Sequence, residues 1–271
     1  MAKSPDILKP LLFRAKQWFR QLSGSYTPIS WEKPFETLRV KWIEIPGGDA
    51  RIRADELLTL SDDEFLRFWS GGRQAYTKGD AFAIRGWYNI LYASALQGKR
   101  VLDVGCGLGF DSIYFAQHGA TVTFLDIVEV NVQVIKRLCK ILEIPSARFF
   151  YMKDIESLYS LDQDFDVILC LGSLINAPFE VARREAQELL KHLKIGGRWI
   201  ELAYPKKRWV REGRLPFSVW GEFTDGPGTP WMEWYDLPKL LRRLEPAKFD
   251  VVLYHEFHNG DFNWFDLLRR E

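Results

Sequence analysis

Three glycines at alternate positions, Gly105, Gly107 and Gly109, follow Asp103, and a second aspartate, Asp126, closes the next apolar run. A backbone without Cβ atoms can approach a bound group closely and take dihedrals that other residues avoid. An acid at the tip of a strand can accept both hydroxyls of a ribose, so the set reads as a nucleoside-binding turn. Asp103, just ahead of the first glycine, would attract a cationic ligand and repel a pyrophosphate. The elements that must position these residues are also present. Val101 to Val104 and Val122 to Leu125 are β-rich, and between them Ile113, Phe115 and Ala116 mark an amphipathic helix that Gly119 ends. Strand, glycine turn, helix, strand and acid make one βαβ unit.

The spacing decides which nucleotide. The dinucleotide fingerprint G-x-G-x-x-G does not fit, because Phe110 stands where its last glycine belongs, and the chain has no G-x-x-x-x-G-K-[ST] phosphate loop. D-x-G-x-G-x-G after a strand, with an acid about 20 residues on, resembles the class I S-adenosylmethionine-dependent methyltransferases. The resemblance runs from about Tyr76 to the C-terminus. It implies an α/β fold with a doubly wound, seven-stranded Rossmann-like sheet that ends in an antiparallel hairpin. Residues 1–75 lie outside it as a helical and extended cap, and 76–271 form the methyltransferase domain. The cofactor it implies is S-adenosylmethionine. Asp103, Gly105, Cys106, Gly107 and Gly109 would frame the methionine portion, and Asp126 the ribose. Asp154 would accept from the adenine amino group, with Ile155 offering its backbone N–H to the ring. Ile127 and Leu171 join these as cofactor contacts. Tyr76 and Arg85, from a lid before the first strand, would reach the methionine carboxylate; a packed tyrosine and a surface arginine are the competing reading.

Along the chain, Leu8, Leu11, Leu12, Ala15, Phe19 and Leu22 share one face of a helix over residues 7–22 that also carries Lys9, Lys16 and Arg20. Such a helix suits a peripheral contact with an anionic membrane, or packing on its own domain or on a second subunit of a homodimer. Trp31 to Arg53 is aromatic and β-prone, broken at Pro46-Gly47-Gly48-Asp49, which suggests a hairpin or extended appendage. Ser61 to Glu64 forms a capping box before a helix that Gly71-Gly72 should stop. A helix from about Ala81 to Leu96 follows. Beyond Asp126, helices and strands alternate: Val130 to Leu142, Arg148 to Met152, Phe165 to Leu171 and Val181 to Leu193. Gly196-Gly197 reads as a turn before a strand from Arg198 to Tyr204. Leu237 to Leu244 is helical, and Phe249 to Phe257 pairs with Phe262 to Leu268 around an Asn-Gly turn.

Composition narrows the function classes. Over 271 residues, 47 % apolar and 27 % charged is globular, and a net charge of +1 gives no electrostatic case for nucleic acid. Cys106, Cys139 and Cys170 read as reduced thiols, and no run approaches a membrane span, so the expected compartment is the cytoplasm.

A sulfonium methyl is already electrophilic, so the protein's main task would be alignment of a nucleophile, with a base added for a hydroxyl. The ends of the strands are the place to look. Ser173 and Asn176 follow strand four, with capping of the next helix as the competing role for Asn176. The [N/D]-P-P-[Y/F/W] run shared by nucleobase amino-methyltransferases is missing there. Tyr204 opens a long insert, 204–235, that carries Trp209, Trp220, Trp231 and Trp234 beside Lys206, Lys207, Arg208, Arg211 and Arg214. These either bind sugar or aromatic rings and anions, or anchor the insert to the body. His258 and His255, near the last turn, are candidate bases beside Tyr204. The expected activity is methyl transfer to a hydroxyl or amine of a small-molecule acceptor, such as a glycan, lipid-linked sugar or natural-product intermediate. Methylation of protein or RNA, and a non-catalytic S-adenosylmethionine-binding module, are the alternatives. No metal is expected.

Overall fold

A computed structural model describes residues 13, 31, 33–47, 50–75, 78–162 and 164–271. The expected helix over 7–22, Phe13 apart, and Tyr76 lie outside the described residues. The central sheet comprises β3 (Arg100–Val104), β4 (Thr121–Asp126), β5 (Arg148–Tyr151), β6 (Phe165–Leu171), β7 (Leu193–Ala203), β8 (Phe249–Phe257) and β9 (Phe262–Arg269). Their order is β5-β4-β3-β6-β7-β9-β8. β3 to β7 run parallel, and β9 joins antiparallel to both β7 and β8. The reversal of strand order beside β3 creates the crevice in which open α/β sheets bind ligands.

Both faces are covered, which is why β3, β4 and β6 read as nearly continuous apolar runs. One core gathers Leu102, Val104, Ile168 and Trp199 under α8 (Phe179–Leu190) and α11 (Leu237–Leu244). The other gathers Val101, Phe124, Val167 and Trp264 under α5 (Trp87–Ala95), α6 (Phe110–Gln117) and α7 (Glu129–Ile141). The closing hairpin forms as its Asn-Gly signal predicts, with His258, Asn259 and Gly260 all at positive φ.

The structure corrects four local expectations. The stretch read as extended from Trp31 holds a helix, α1 (Pro34–Trp42), before the hairpin of β1 (Glu44–Gly47) and β2 (Ala50–Arg53). Pro34 at the first helical position and acidic Glu36 start α1 despite its aromatic content. After α2 (Ala54–Thr59), α3 (Asp62–Ala75) continues through Gly71-Gly72. A Cβ on Gly72 would stand 2.7 Å from the Phe110 ring, so that glycine serves a close approach, not a stop. Gly196-Gly197 lies inside β7 as an irregularity: Leu193 pairs with Phe165 while Arg198 pairs with Val167. Gly196, at φ +77°, supplies the backbone bend there. Finally, the insert holds two helices, α9 (Lys206–Arg211) and α10 (Phe217–Asp225). Between α3 and α5, α4 (Gly79–Ala81) leads through a π turn over Phe82–Gly86.

Candidate active site

A cavity of about 380 Å³ opens at the carboxyl ends of β3, β4, β6 and β7, within the size range of small-molecule sites. Its floor is the glycine turn. The N–H groups of Gly105 and Cys106 both donate to the Leu125 carbonyl, at 2.8 and 3.1 Å, which pins the turn onto β4. Gly105, Gly107 and Gly109 have φ of +74°, +51° and +61°. A Cβ on Gly105 would stand 2.5 Å from Ser173 Cβ, so the turn and the strand-four loop meet only because that carbon is missing. Phe110, where a dinucleotide site would have glycine, packs at 5.8 Å against Trp69, whose indole N–H donates to Leu108 O at 2.9 Å.

Asp126 stands at the end of β4, buried, with Oδ1 accepting from Val128 N at 2.8 Å and Oδ2 from Gly107 N at 3.2 Å. Burial pushes its carboxyl up to about 6. Asp103 is pushed up to about 7 by burial, with the charges of Asp111 and Asp126 adding to it. Glu185, reaching the cavity from α8, is also raised to about 7 by burial, against the opposing charge of Arg243. All three carboxyls hold protons in the fold that they release in the unfolded chain above its pKa values. The unfolded state then binds fewer protons, so stability falls with pH at about 1.4 kcal/mol per pH unit for each net proton. Their contribution is complete below the ordinary carboxylate range and is lost as pH rises through 6 to 7. His192, lowered by burial, works the other way. The Tm of the ligand-free protein should therefore fall between pH 5 and pH 7.5, and a flat or rising Tm would contradict this assignment.

Sequence reasoning missed two polar groups here. Asp111 ties the helices before β3 to α6: Oδ1 accepts from Asn89 Nδ2 at 2.8 Å, and Oδ2 from Arg85 at 3.1 Å and the Tyr88 hydroxyl at 3.2 Å. Arg85 therefore lines the cavity with its guanidinium engaged by Asp111. Asn131 lines it from α7, donating to Trp42 O at 3.1 Å, while its buried Oδ1 has no partner among the described residues. The Ser173 hydroxyl, also in the lining, is likewise buried without a partner among the described residues.

The other predicted residues divide. Cys106, Ile127, Leu171 and Tyr204 line the cavity. Asp154 and Ile155 are not in its lining; Asp154 Oδ1 accepts from Ser157 N at 2.9 Å and Ser157 Oγ at 2.6 Å, a capping role compatible with a contact to adenine. Beyond Ile127 the wall is supplied by Phe35 and Leu38 of α1. Arg39 of the same helix donates to the carbonyls of Ile127 at 2.6 Å, Met152 at 3.1 Å and Lys153, spanning the ends of β4 and β5. Asn176 does not cap α8, whose N-cap is Pro178; it is buried in the cavity wall and donates to Trp231 O at 3.4 Å. His255 and His258 lie outside the lining. His255 stacks on Phe257, and His258 occupies the left-handed hairpin turn with Nδ1 3.0 Å from Asp261 Oδ2.

The insert's aromatic and basic residues anchor it. Trp220 donates to Glu212 at 2.6 Å and Trp209 to Leu215 O at 2.8 Å. Arg208 pairs with Glu212, Lys207 with Glu256, and Arg211 with Asp261. A buried Lys41 joins the cap to the insert, bonding Glu44 at 2.8 Å and Pro227 O at 2.7 Å.

This fold and this glycine turn, with a carboxylate at the end of the second parallel strand, define the class I S-adenosylmethionine-dependent methyltransferase architecture. Residues 101–197 match a family model described as a methyltransferase domain. A ubiquinone biosynthesis O-methyltransferase from Coxiella burnetii is 36 % identical over 107 residues, 38 % of this chain and 42 % of that protein. The chain thus spans less than half the length of that relative. Magnesium protoporphyrin IX methyltransferase from Synechocystis, solved with bound SAH, has 23 % identity and a TM-score of 0.51, over 73 % of this chain and 92 % of that one. Burkholderia thailandensis 1,6-didemethyltoxoflavin-N1-methyltransferase, solved with 1,6-didemethyltoxoflavin and S-adenosylhomocysteine, has 21 % identity and a TM-score of 0.52, over 84 % and 95 %. Residues 101–197 are thus similar to a methyltransferase domain, within a fold shared with solved S-adenosylmethionine-dependent methyltransferases.

The residues fit the family's cofactor. The glycine turn leaves a cradle that a Cβ would fill, and the orphaned Ser173 hydroxyl and Asn131 carbonyl give a nucleoside hydrogen-bonding partners. Two buried acids, Asp103 and Asp126, offer negative charge to a sulfonium. Among the described residues, no group of three His, Cys, Asp or Glu side chains could hold a metal ion, and no helix is long and apolar enough to cross a membrane.

Proposed function

We propose that this chain transfers a methyl group from S-adenosylmethionine to a small-molecule acceptor. One observation carries the reading: a single cavity runs from Asp126 and the glycine turn to Tyr204, Asp225 and Phe262, walled by cap residues Trp42, Glu44 and Ile45. The Lys41–Pro227 hydrogen bond joins the cap to the insert, both of which line the cavity, and the cavity is of a size usual for small ligands. Bound S-adenosylmethionine supplies an electrophilic methyl on a good leaving group. The chain's own residues supply alignment and shelter from water, which convert the encounter into an oriented, near-unimolecular step. Asp126 would hold the ribose, Asp103 and the glycine turn the methionine portion, and Ile127 with Phe35 and Leu38 the base.

Support for a small acceptor also comes from the similar proteins, whose activities concern ubiquinone biosynthesis, a magnesium porphyrin and a toxoflavin precursor. The test is methyl-labelled S-adenosylmethionine incubated with the purified protein and a panel of small phenols, alcohols and amines, in parallel with RNA and total protein. Label in a small acceptor is the expected result. Label confined to macromolecules overturns the acceptor class, and no transfer with intact S-adenosylmethionine binding favours the non-catalytic reading.

A further inference from the structure

Among the described residues no histidine lines the cavity, yet a hydroxyl acceptor needs a proton acceptor close by. Burial keeps the Cys106 thiol and the Tyr204 phenol of the lining protonated, since it drives both well above their ordinary ranges. Six carboxyls also line it: Glu44, Asp103, Asp111, Asp126, Glu185 and Asp225. Asp103 and Asp126 belong to the glycine turn, and Asp111 is held by Asn89, Arg85 and Tyr88. Glu44 is bonded to Lys41, and Asp225 to Tyr204. Glu185 is different. It is only 6 % exposed, yet among the described residues it makes no hydrogen bond and no ion pair.

Resting on the function proposed above, we infer that Glu185 is the general base that takes the proton of a hydroxyl acceptor. Its place in the wall supports this. The loop 173–177, which lines the cavity, starts with Ser173 against Gly105 of the glycine turn and leads into α8, where Glu185 continues the wall. That wall therefore begins beside the residues assigned to the methionine portion of the cofactor. A buried carboxyl without a partner costs the fold free energy, so its position argues for a ligand rather than for packing. Burial favours the neutral form and the Arg243 charge the carboxylate, which brings the ionisation to about 7. The group can thus give up and take up a proton near neutral pH, as a general base must. The titratable groups about it are Arg243 from α11, the Glu201 carboxylate of β7 that pairs with Arg243, and the Cys170 thiol of β6, which burial keeps neutral.

The step balances without further reagents. The acceptor O–H bond breaks and its proton passes to the Glu185 carboxylate. The oxygen pair forms the O–CH₃ bond, and the pair of the S–CH₃ bond returns to sulfur, leaving a neutral thioether. Glu185 then releases the proton to water.

The probes are phenol, which needs a base, and 4-nitrophenol, whose nitro group lets it ionise near neutral pH and arrive as its anion. In the wild type, phenol methylation should rise with pH through about 7 as Glu185 ionises. Glu185→Gln should abolish that rise and lower phenol methylation about 100-fold or more above it. Methylation of the 4-nitrophenol anion, which has no proton to lose, should fall less than about fivefold in the same variant. Glu185→Asp should recover part of the phenol activity with its pH rise displaced, because the shorter carboxyl stands at a different depth. Affinity for S-adenosylhomocysteine, read by calorimetry, should stay within about threefold in both variants, which also certifies folding. Equal losses on both phenols, or a pH rise that persists in Glu185→Gln, overturns the base assignment. A rise that stays in place in Glu185→Asp overturns it independently, should the glutamine variant not fold. Wild-type protein that binds S-adenosylhomocysteine yet methylates neither phenol also overturns it. Failure to bind S-adenosylhomocysteine would instead remove the function on which the assignment rests.

Discussion

Arg243→Met should destabilise the protein by about 3–5 kcal/mol, the usual consequence of stripping one partner from a buried ion pair. Arg243 and its partner Glu201 are both essentially inaccessible, and the pair joins α11 to β7 inside the core. Glu201 Oε2 also accepts from the Trp199 indole at 2.8 Å, and the guanidinium lies 4.4 Å from the Tyr235 ring centre. Without Arg243 the Glu201 charge loses its ion-pair partner, and Glu185 loses the charge that opposes its upward shift. The measurement is urea unfolding at pH 7, run with Glu201→Met and the double variant. The double variant should recover much of the loss, since two apolar side chains of similar volume need no charge compensation. Equal and additive losses would show that the pair is not coupled.

Asp126→Ala should weaken S-adenosylmethionine binding about 100-fold in calorimetry. The estimate takes two hydrogen bonds to a charged acceptor at about 1.5 kcal/mol each, and 1.4 kcal/mol is a factor of ten in affinity. The fold should survive the change. Burial already raises this carboxyl to about 6, so at pH 7 the ligand-free protein bears the cost of an ionised buried group that alanine removes. A Tm within a few degrees of wild type together with the lost affinity is therefore the expected pattern. Unchanged affinity would refute the ribose assignment.

The glycine turn and its two acids were legible in the sequence because each position constrains a residue type through its own backbone. Gly105 needs both a left-handed φ and an absent Cβ, and Asp126 needs only to end a strand. What was not legible is what distant packing assembles. Asp111 follows Phe110 as an ordinary first-turn acid; only the placing of Arg85, Tyr88 and Asn89 makes it a hub. Phe35 and Leu38 reach the cavity through the whole fold, and Asp225 through the trajectory of α10. The glycine pairs misled for one reason: lack of a Cβ serves close contact as well as turning, and sequence does not say which. At Gly72 the Phe110 ring decides, and at Gly197 the Leu193 side chain, 2.7 Å from where a Cβ would be. Asp154 was placed from family likeness alone, and here its carboxylate is engaged by its own chain at Ser157.

The guanidinium of Arg39, fastened to three main-chain oxygens at the tips of two strands, has a consequence for where this chain can be cut. A fragment beginning at Arg100 would retain the entire glycine turn and every parallel strand, yet it would lack the roof over Ile127 and the rivet at Pro227. The stretch that carries the family signature is thus a workbench without its clamps, and the upstream residues complete the chamber.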